Sequence, residues 1–176
     1  MDLLFSINKV FVNDAETSFA QQPSGSVWTD LGDTKGGANF SQSVEKIEIM
    51  DDQATDPLAI IPTKAPKSAT VNLINASPDN LALAFSGTVT GDQVDIPSLI
   101  NGTEKALIIQ TRMINNVYYE IYIPRAFITG ESEISLSPDD ATSLTLNIQV
   151  MKPASGSPVV IKKNTDTYID YTAASS

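Results

Sequence analysis

Residues 77–86 form one stretch that reads as a helix with both ends marked, and the sequence on either side is β-patterned. Ser77 suits an N-cap because its hydroxyl can accept an early backbone N–H. Pro78 suits the first helical position, where no donor is needed. Asp79 complements the positive helix end, Leu81-Ala82-Leu83-Ala84-Phe85 supplies the apolar run, and Gly87 is placed to stop the helix in a left-handed conformation. One short helix among strands confines the chain to mainly β architectures. The expectation is an antiparallel β-sandwich or partly closed barrel, a single domain over 1–176, with one flanking helix.

Apolar and β-branched residues mark strands over 3–12, 27–31, 38–50, 67–74, 103–114 and 117–124. Asn115-Asn116 reads as a tight hairpin turn. Residues 126–137 read as a further strand broken by Gly130, and Ser137-Pro138-Asp139-Asp140 as a turn. Residues 144–151 alternate cleanly, with Leu144, Leu146, Ile148 and Val150 on one face and Thr145, Asn147, Gln149 and Met151 on the other. Residues 159–161 and 167–171 read as short edge strands or an arm. Residues 13–25 read as a mobile N-terminal segment and 163–176 as a C-terminal arm with a mobile tail.

Pro57, Pro62 and Pro66 argue against a central strand or a helix interior over 51–66, which reads as a long projecting loop. Loops of about 15 residues are uncommon in compact domains and usually have a job. Leu58, Ala59, Ile60 and Ile61 in its middle need cover. Either they fold back on their own domain or a neighbouring subunit buries them.

The chain has 176 residues, enough for a core without covalent staples. It contains no cysteine and no histidine. Disulfides, thiol chemistry and every histidine-dependent catalytic or metal site are therefore excluded. The formal net charge of −10 disfavours tight nucleic-acid binding. It serves solubility, or it marks a surface that stays near DNA without sticking. No run approaches the about 18 apolar residues of a membrane span. Met1-Asp2-Leu3-Leu4-Phe5 lacks the basic start and apolar length of a signal peptide, so the expectation is a soluble protein made in the cytoplasm.

Local clusters point to no cofactor, metal or catalytic residue. Asp51, Asp52 and Asp56 lack the glycine and closing glutamate of an EF-hand loop. Glu131 and Glu133 share a strand face but have no opposing acid for glycoside cleavage. Gly32 to Gly37 lacks the ending of a phosphate loop. Tyr118, Tyr119 and Tyr122 lack the basic stripe of a single-strand binder, and with Trp28 read as packing residues.

Val27-Trp28-Thr29-Asp30-Leu31-Gly32, Gly36-Gly37 and Phe40 resemble the N-terminal signature of tail tube proteins of long-tailed (siphovirus-type) bacteriophages. Asp51-Asp52-Gln53 to Pro57 resembles that family's long stacking loop, and Val71-Asn72-Leu73 leading into residues 77–84 resembles its single helix. Tyr119 to Ala126 and Leu136 to Asp140 resemble its late strand and following turn. The resemblance spans roughly residues 27–151. It implies a non-enzymatic virion protein whose copies form rings, six to a ring, that stack into the tube DNA crosses at ejection. The ring's inner wall is then a continuous β-barrel with strands from every subunit. Tape-measure, tail-terminator and distal tail proteins are implied partners, and a membrane is not. On this picture Leu58 to Ile61 form the inter-ring stacking loop. Thr145, Asn147 and Gln149 are lumen candidates as neutral, hydrophilic residues, with Glu45 and Glu48 as candidate lumen carboxylates. An inner tube of a contractile injection or secretion apparatus and a carbohydrate-binding β-sandwich are the alternatives.

Overall fold

Side chains alternate across each strand, so strands with one apolar side can stack only where those sides meet. The computed structural model describes residues 7–15, 28–50, 56–137 and 140–172. In chain order the elements are β1 (Ile7–Asp14), β2 (Thr29–Asp30), β3 (Thr34–Gln42), β4 (Glu45–Ile49), β5 (Ala59–Lys64), β6 (Lys67–Leu73), α1 (Pro78–Phe85), β7 (Thr88–Thr90), β8 (Gln93–Asp95), β9 (Thr103–Thr111), β10 (Val117–Ile128), β11 (Glu133–Ser137), β12 (Asp140–Val150) and β13 (Val160–Thr165). The chain is mainly β, and its described strand pairs are antiparallel.

The main sheet folds into two layers. One layer runs β2-β1-β9-β10, with β13 against the first half of β10; the other runs β3-β6-β12, with β11 beyond β12. β10 belongs to both. Val117–Tyr122 pairs with β13, and Ala126–Ile128 pairs with β12. A register slip between Ile123 and Ala126 lets the strand turn the corner, and Pro124 and Arg125 occupy the slip, where a missing N–H is tolerated. Arg125 fixes the corner from outside, donating from Nε and Nη2 to Glu104 at 2.8 and 3.0 Å.

The core lies between the layers. Val10, Leu107 and Ile123 meet Val71, Leu144 and Leu146, all wholly buried. Helix α1 covers one end, with Ala84 buried and Leu81, Leu83 and Phe85 against the core. Asn80, buried at the helix start, donates to the Leu31 and Asn75 carbonyls at 2.9 and 2.8 Å, tying α1 to the end of β2. Outside the first layer a second cluster packs Phe11, Trp28, Ile108, Tyr122 and Tyr171. Residues 166–172 reach it by lying across the sheet: the Trp28 N–H donates to the Tyr171 carbonyl at 2.8 Å, and the Tyr171 hydroxyl to buried Glu120 at 2.9 Å. The same carboxylate accepts from Gln110 and Asn164.

Several sequence expectations need correction. The long projecting loop of 51–66 is in part a strand: β5 pairs with β4 as a separate two-stranded ribbon. Pro62 is compatible with it because a two-stranded ribbon has outer edges where no donor is required, and the register slips beside it. Residues 38–50, read as one strand, divide between β3 and β4, which lie in different sheets. The segment 126–137 likewise divides, since β10 continues to Ile128 and β11 begins at Glu133. In β3, Gly36 and Gly37 take φ of +72° and +85° in a bulge between Thr34 and Ala38.

Ser77 caps α1 by accepting from Asn80 N, with Pro78 in the first turn. The left-handed residue at its end is Ser86 (φ 55°), not Gly87. Gly87 closes the turn by donating to the Ala82 carbonyl, and a β-carbon on it would meet Val94 Cγ1 at 2.8 Å. Its smallness serves packing against β8. The C-terminal arm proposed for 163–176 begins inside β13, and residues 166–172 are packed as described. Residues 3–6, 16–27, 51–55, 138–139 and 173–176, on which parts of the expected first strand, N-terminal segment, acidic loop, turn and tail fall, lie outside the described residues.

Leu146→Ala should cost about 2–5 kcal/mol of stability, measured by urea unfolding with the fluorescence of buried Trp28 as the probe. The Arg125 hydrogen bonds hold the Glu104 carboxyl below its ordinary value of 4.5, and Lys105 holds Asp14 below 3.8. A folded-state pKa below the unfolded value gives stability that is present above the unfolded value and lost as pH falls through the folded one. NMR titration should therefore show both carboxyls protonating late, and Arg125→Gln should return Glu104 to the ordinary range.

Candidate functional site

The second layer buries one face in the core and turns the other outward, and the outward face is unusual in composition. On β12, Leu144, Leu146 and Ile148 are buried, so Thr145, Asn147 and Gln149 project to the opposite side. On β6 the same alternation buries Ala69, Val71 and Leu73 and turns Ser68, Thr70 and Asn72 outward. The strand pairing then sets these residues in rows. Ser41, Ser68 and Gln149 form one row, Asn39, Thr70 and Asn147 a second, and Asn72, Thr145 and Glu133 a third.

The rows are bonded across strands. Ser41 and Ser68 hydroxyls lie 2.8 Å apart, and Thr145 Oγ1 donates to Asn72 Oδ1 at 2.9 Å. Thr70 Oγ1 donates to Asn147 Oδ1 at 3.5 Å, while Asn147 Nδ2 donates to the Glu131 carbonyl at 2.7 Å. Hydroxyls and amides thus satisfy one another within the sheet, as cross-strand polar pairs do. No lysine or arginine stands in these rows. Lys67 sits at the sheet end with Nζ donating to the Ala65 carbonyl. Glu133 is the charged member of the rows, and Lys67 adjoins Ser41, Ser68 and Gln149 at the sheet end.

The layer also has two outer edges. Among the described residues β3 bonds only to β6 in this layer, and β11 only to β12. The β11 edge carries no lysine, and β3 carries Lys35 and the bulge at its start but no lysine between Ala38 and Gln42. The first layer differs, ending in the two-residue β2 and in β13, which bears Lys162 and Lys163. Short edges and lysines discourage strand addition. Leu136, at the β11 edge, is 78% exposed.

The predicted site residues therefore fall in two places. Thr145, Asn147 and Gln149 share the polar face. Glu45 and Glu48 do not, because β4 lies in the ribbon, where Glu45 stands 3.7 Å from Lys64 and Glu48 is ion-paired with Lys46. Leu58, Ala59, Ile60 and Ile61 are in the ribbon too, all exposed. Sequence reasoning missed Asn39, Ser41, Ser68, Thr70 and Asn72 as members of the face. The alternation of β6 contained the signal, but strand partnership, which makes it a surface, is non-local. Trp28, Tyr118 and Tyr122 are buried and Tyr119 is half-buried.

A family model described as phage tail tube protein matches residues 8–172. No curated protein sequence matches the chain. The solved structures to which the chain is similar include the following. The cryo-EM structure of the anti-feeding prophage cap, a tube-terminating cap, is 11% identical with a TM-score of 0.46, covering 92% of this chain and 94% of that one. The SPP1 tail tube, from solid-state NMR and cryo-EM, is 14% identical with a TM-score of 0.42, covering 90% and 76%.

Asn147→Ala should lower stability by about 1 kcal/mol through the lost hydrogen bonds. Gln149→Ala, exposed on the same strand, should stay within about 0.5 kcal/mol of the parent. Urea midpoints of the two variants measure the difference.

Proposed function

The chain belongs to the phage tail tube protein family, and we propose that the layer β3-β6-β12-β11 is the wall segment each copy contributes to a ring. The family is one of structural proteins. The protein is a structural component of the tail in the virion, and tube formation means association with further copies of itself.

The observation that carries the reading is the pair of open edges on a sheet with one polar face. The four strands alternate in direction, so β11 and β3 run opposite ways. A copy rotated about a ring axis brings its β11 beside the β3 of its neighbour in antiparallel register, with the polar faces on one side. Repeated head-to-tail, the contact closes into a ring, six copies being the expected number, and removes both edges of this layer. The wall then presents hydroxyls, amides and the Glu131 and Glu133 carboxylates to the bore. The outward rows hold no lysine or arginine to replace the counterions of DNA, so DNA slides through at ejection without tight binding. Glu131 and Glu133 take the role first assigned to Glu45 and Glu48. Tape-measure, tail-terminator and distal tail proteins are the expected partners at the bore and ends.

The cysteine-free sequence makes the test direct. Cysteine pairs at Asn39 and Ser135, Asn39 and Glu133, and Ser41 and Ser135 sample neighbouring registers of the proposed seam. Oxidation of assembled protein should give a covalent ladder ending at six copies for at least one pair, and none for the single variants. Dimers from the Ser135→Cys single variant would instead mean that β11 pairs with itself.

A further inference from the structure

The two outer edges of the second layer match each other residue by residue. On β11, Ile134 stands opposite buried Leu144, so the alternation puts Ile134 and Leu136 on the core side and Glu133 and Ser135 on the polar side. On β3, Ala38 and Phe40 stand opposite buried Val71 and Ala69, which leaves Asn39 and Ser41 on the polar side. Ile134 and Leu136 are exposed, and Ala38 and Phe40 are half-buried. Each edge thus has apolar side chains short of cover on the same side of the sheet.

The charges match too. Ser41, Ser43, Pro66, Lys67, Ser68 and Gln149 line a pocket of about 310 Å³ at the sheet end. Lys67 donates to the Ala65 carbonyl and makes no ion pair with a described residue. Glu133, on the opposite edge, makes none either. A hydroxyl-lined pocket with an unpaired ammonium suits a carboxylate.

On the wall reading, we propose that the seam has one register, with Ser135 of one copy opposite Asn39 of the next, and that the pocket on the second copy takes the first copy's Glu133 carboxylate. Glu133 then stands opposite Ser41 and extends the row Ser41, Ser68, Gln149 beside Lys67. Ile134 meets Phe40, and Leu136 meets Ala38. Sliding the seam by two residues keeps the faces but sets Leu136 against Gly36 one way and Ile134 against Gln42 the other. The pairing also neutralises the lysine at the end of the polar face.

Barrel geometry selects the same register. The row through Ser41 crosses β12 of its own copy at Gln149 and, through Glu133, β12 of the neighbour at Thr145, a stagger of four residues over the four strands of a copy. At ~3.3 Å per residue and ~4.8 Å between strands this tilts the strands by about 35°, as closed barrels do, whereas the slid registers give about 19° and about 46°. The hand agrees. Asn147 lies on the polar face and its carbonyl accepts from Thr129, away from β6. For L-residues this fixes the order of the strands around the ring, and the stagger then runs in the right-handed sense that sheet twist requires.

The test joins cysteine pairs to a charge exchange. Among the three pairs, N39C/S135C should give the strongest covalent ladder. Lys67→Glu and Glu133→Lys should each raise the concentration at which rings form by about tenfold or more, and K67E/E133K should return it to within about threefold of the parent, read by light scattering. Neither position belongs to the core, and the fluorescence of buried Trp28 verifies that each monomer is folded. A strongest ladder from N39C/E133C or S41C/S135C, or a double variant that assembles no better than the singles, would overturn the register and its pocket while leaving the wall intact. Assembly of Glu133→Lys at the parent's concentration would mean that another anion, such as a DNA phosphate, fills the pocket, and would overturn the proposal equally. Parent protein that forms no rings, or rings from which no pair gives a ladder, would overturn the wall reading and this seam with it.

Discussion

Backbone hydrogen bonding in the second layer is the constraint from which the rest of the structure follows. β12 and β6 satisfy each other and bury Leu146 and Val71 against the first layer, and their neighbours β11 and β3 are left with outward edges. The fold protects the edges of its first layer, with a two-residue β2 and lysines on β13. In the second layer Lys35 and the bulge guard only the start of β3, while Ala38–Gln42 and β11 carry no lysine. An exposed strand edge is an aggregation hazard unless something pairs with it. Head-to-tail closure turns the hazard into the assembly contact, which is the reason for proposing that this layer is the tube wall.

On the proposed wall, the same layer bears on the acidic composition. A tube for DNA needs a bore that neither binds phosphate nor presents an apolar surface. The outward rows of β3, β6 and β12 are hydroxyls and amides that bond to one another across strands, as Thr145 does to Asn72 and Ser41 to Ser68. Such rows are hydrophilic without offering cations. The remaining charge is free to serve solubility.

Features governed by nearest neighbours in sequence were legible. Ser77 and Pro78 open the helix because capping is local. Asn115-Asn116 turns the β9–β10 hairpin because both residues accept positive φ. The alternation of residues 144–151 gave the buried and outward sides of β12. Features set by partnership were not legible. Nothing near Glu45 or Glu48 in sequence reveals that β4 leaves the main sheet for a ribbon, and the prolines that argued against a central strand are compatible with a two-stranded one. Gly87 looked like a stop signal, but its smallness answers to Val94 on a hairpin that follows it. Burial of Tyr171 depends on a cover over Trp28 and Glu120 formed by segments far apart in the chain.

A high-resolution cryo-EM reconstruction of assembled tube tests the central claim most directly. The account predicts a bore lined by β3-β6-β12-β11 from every copy, with β11 bonded to the neighbour's β3 and Thr145, Asn147 and Gln149 facing inward. A bore lined by the other layer, or the outer edges of β3 and β11 left unpaired in the tube, would contradict it.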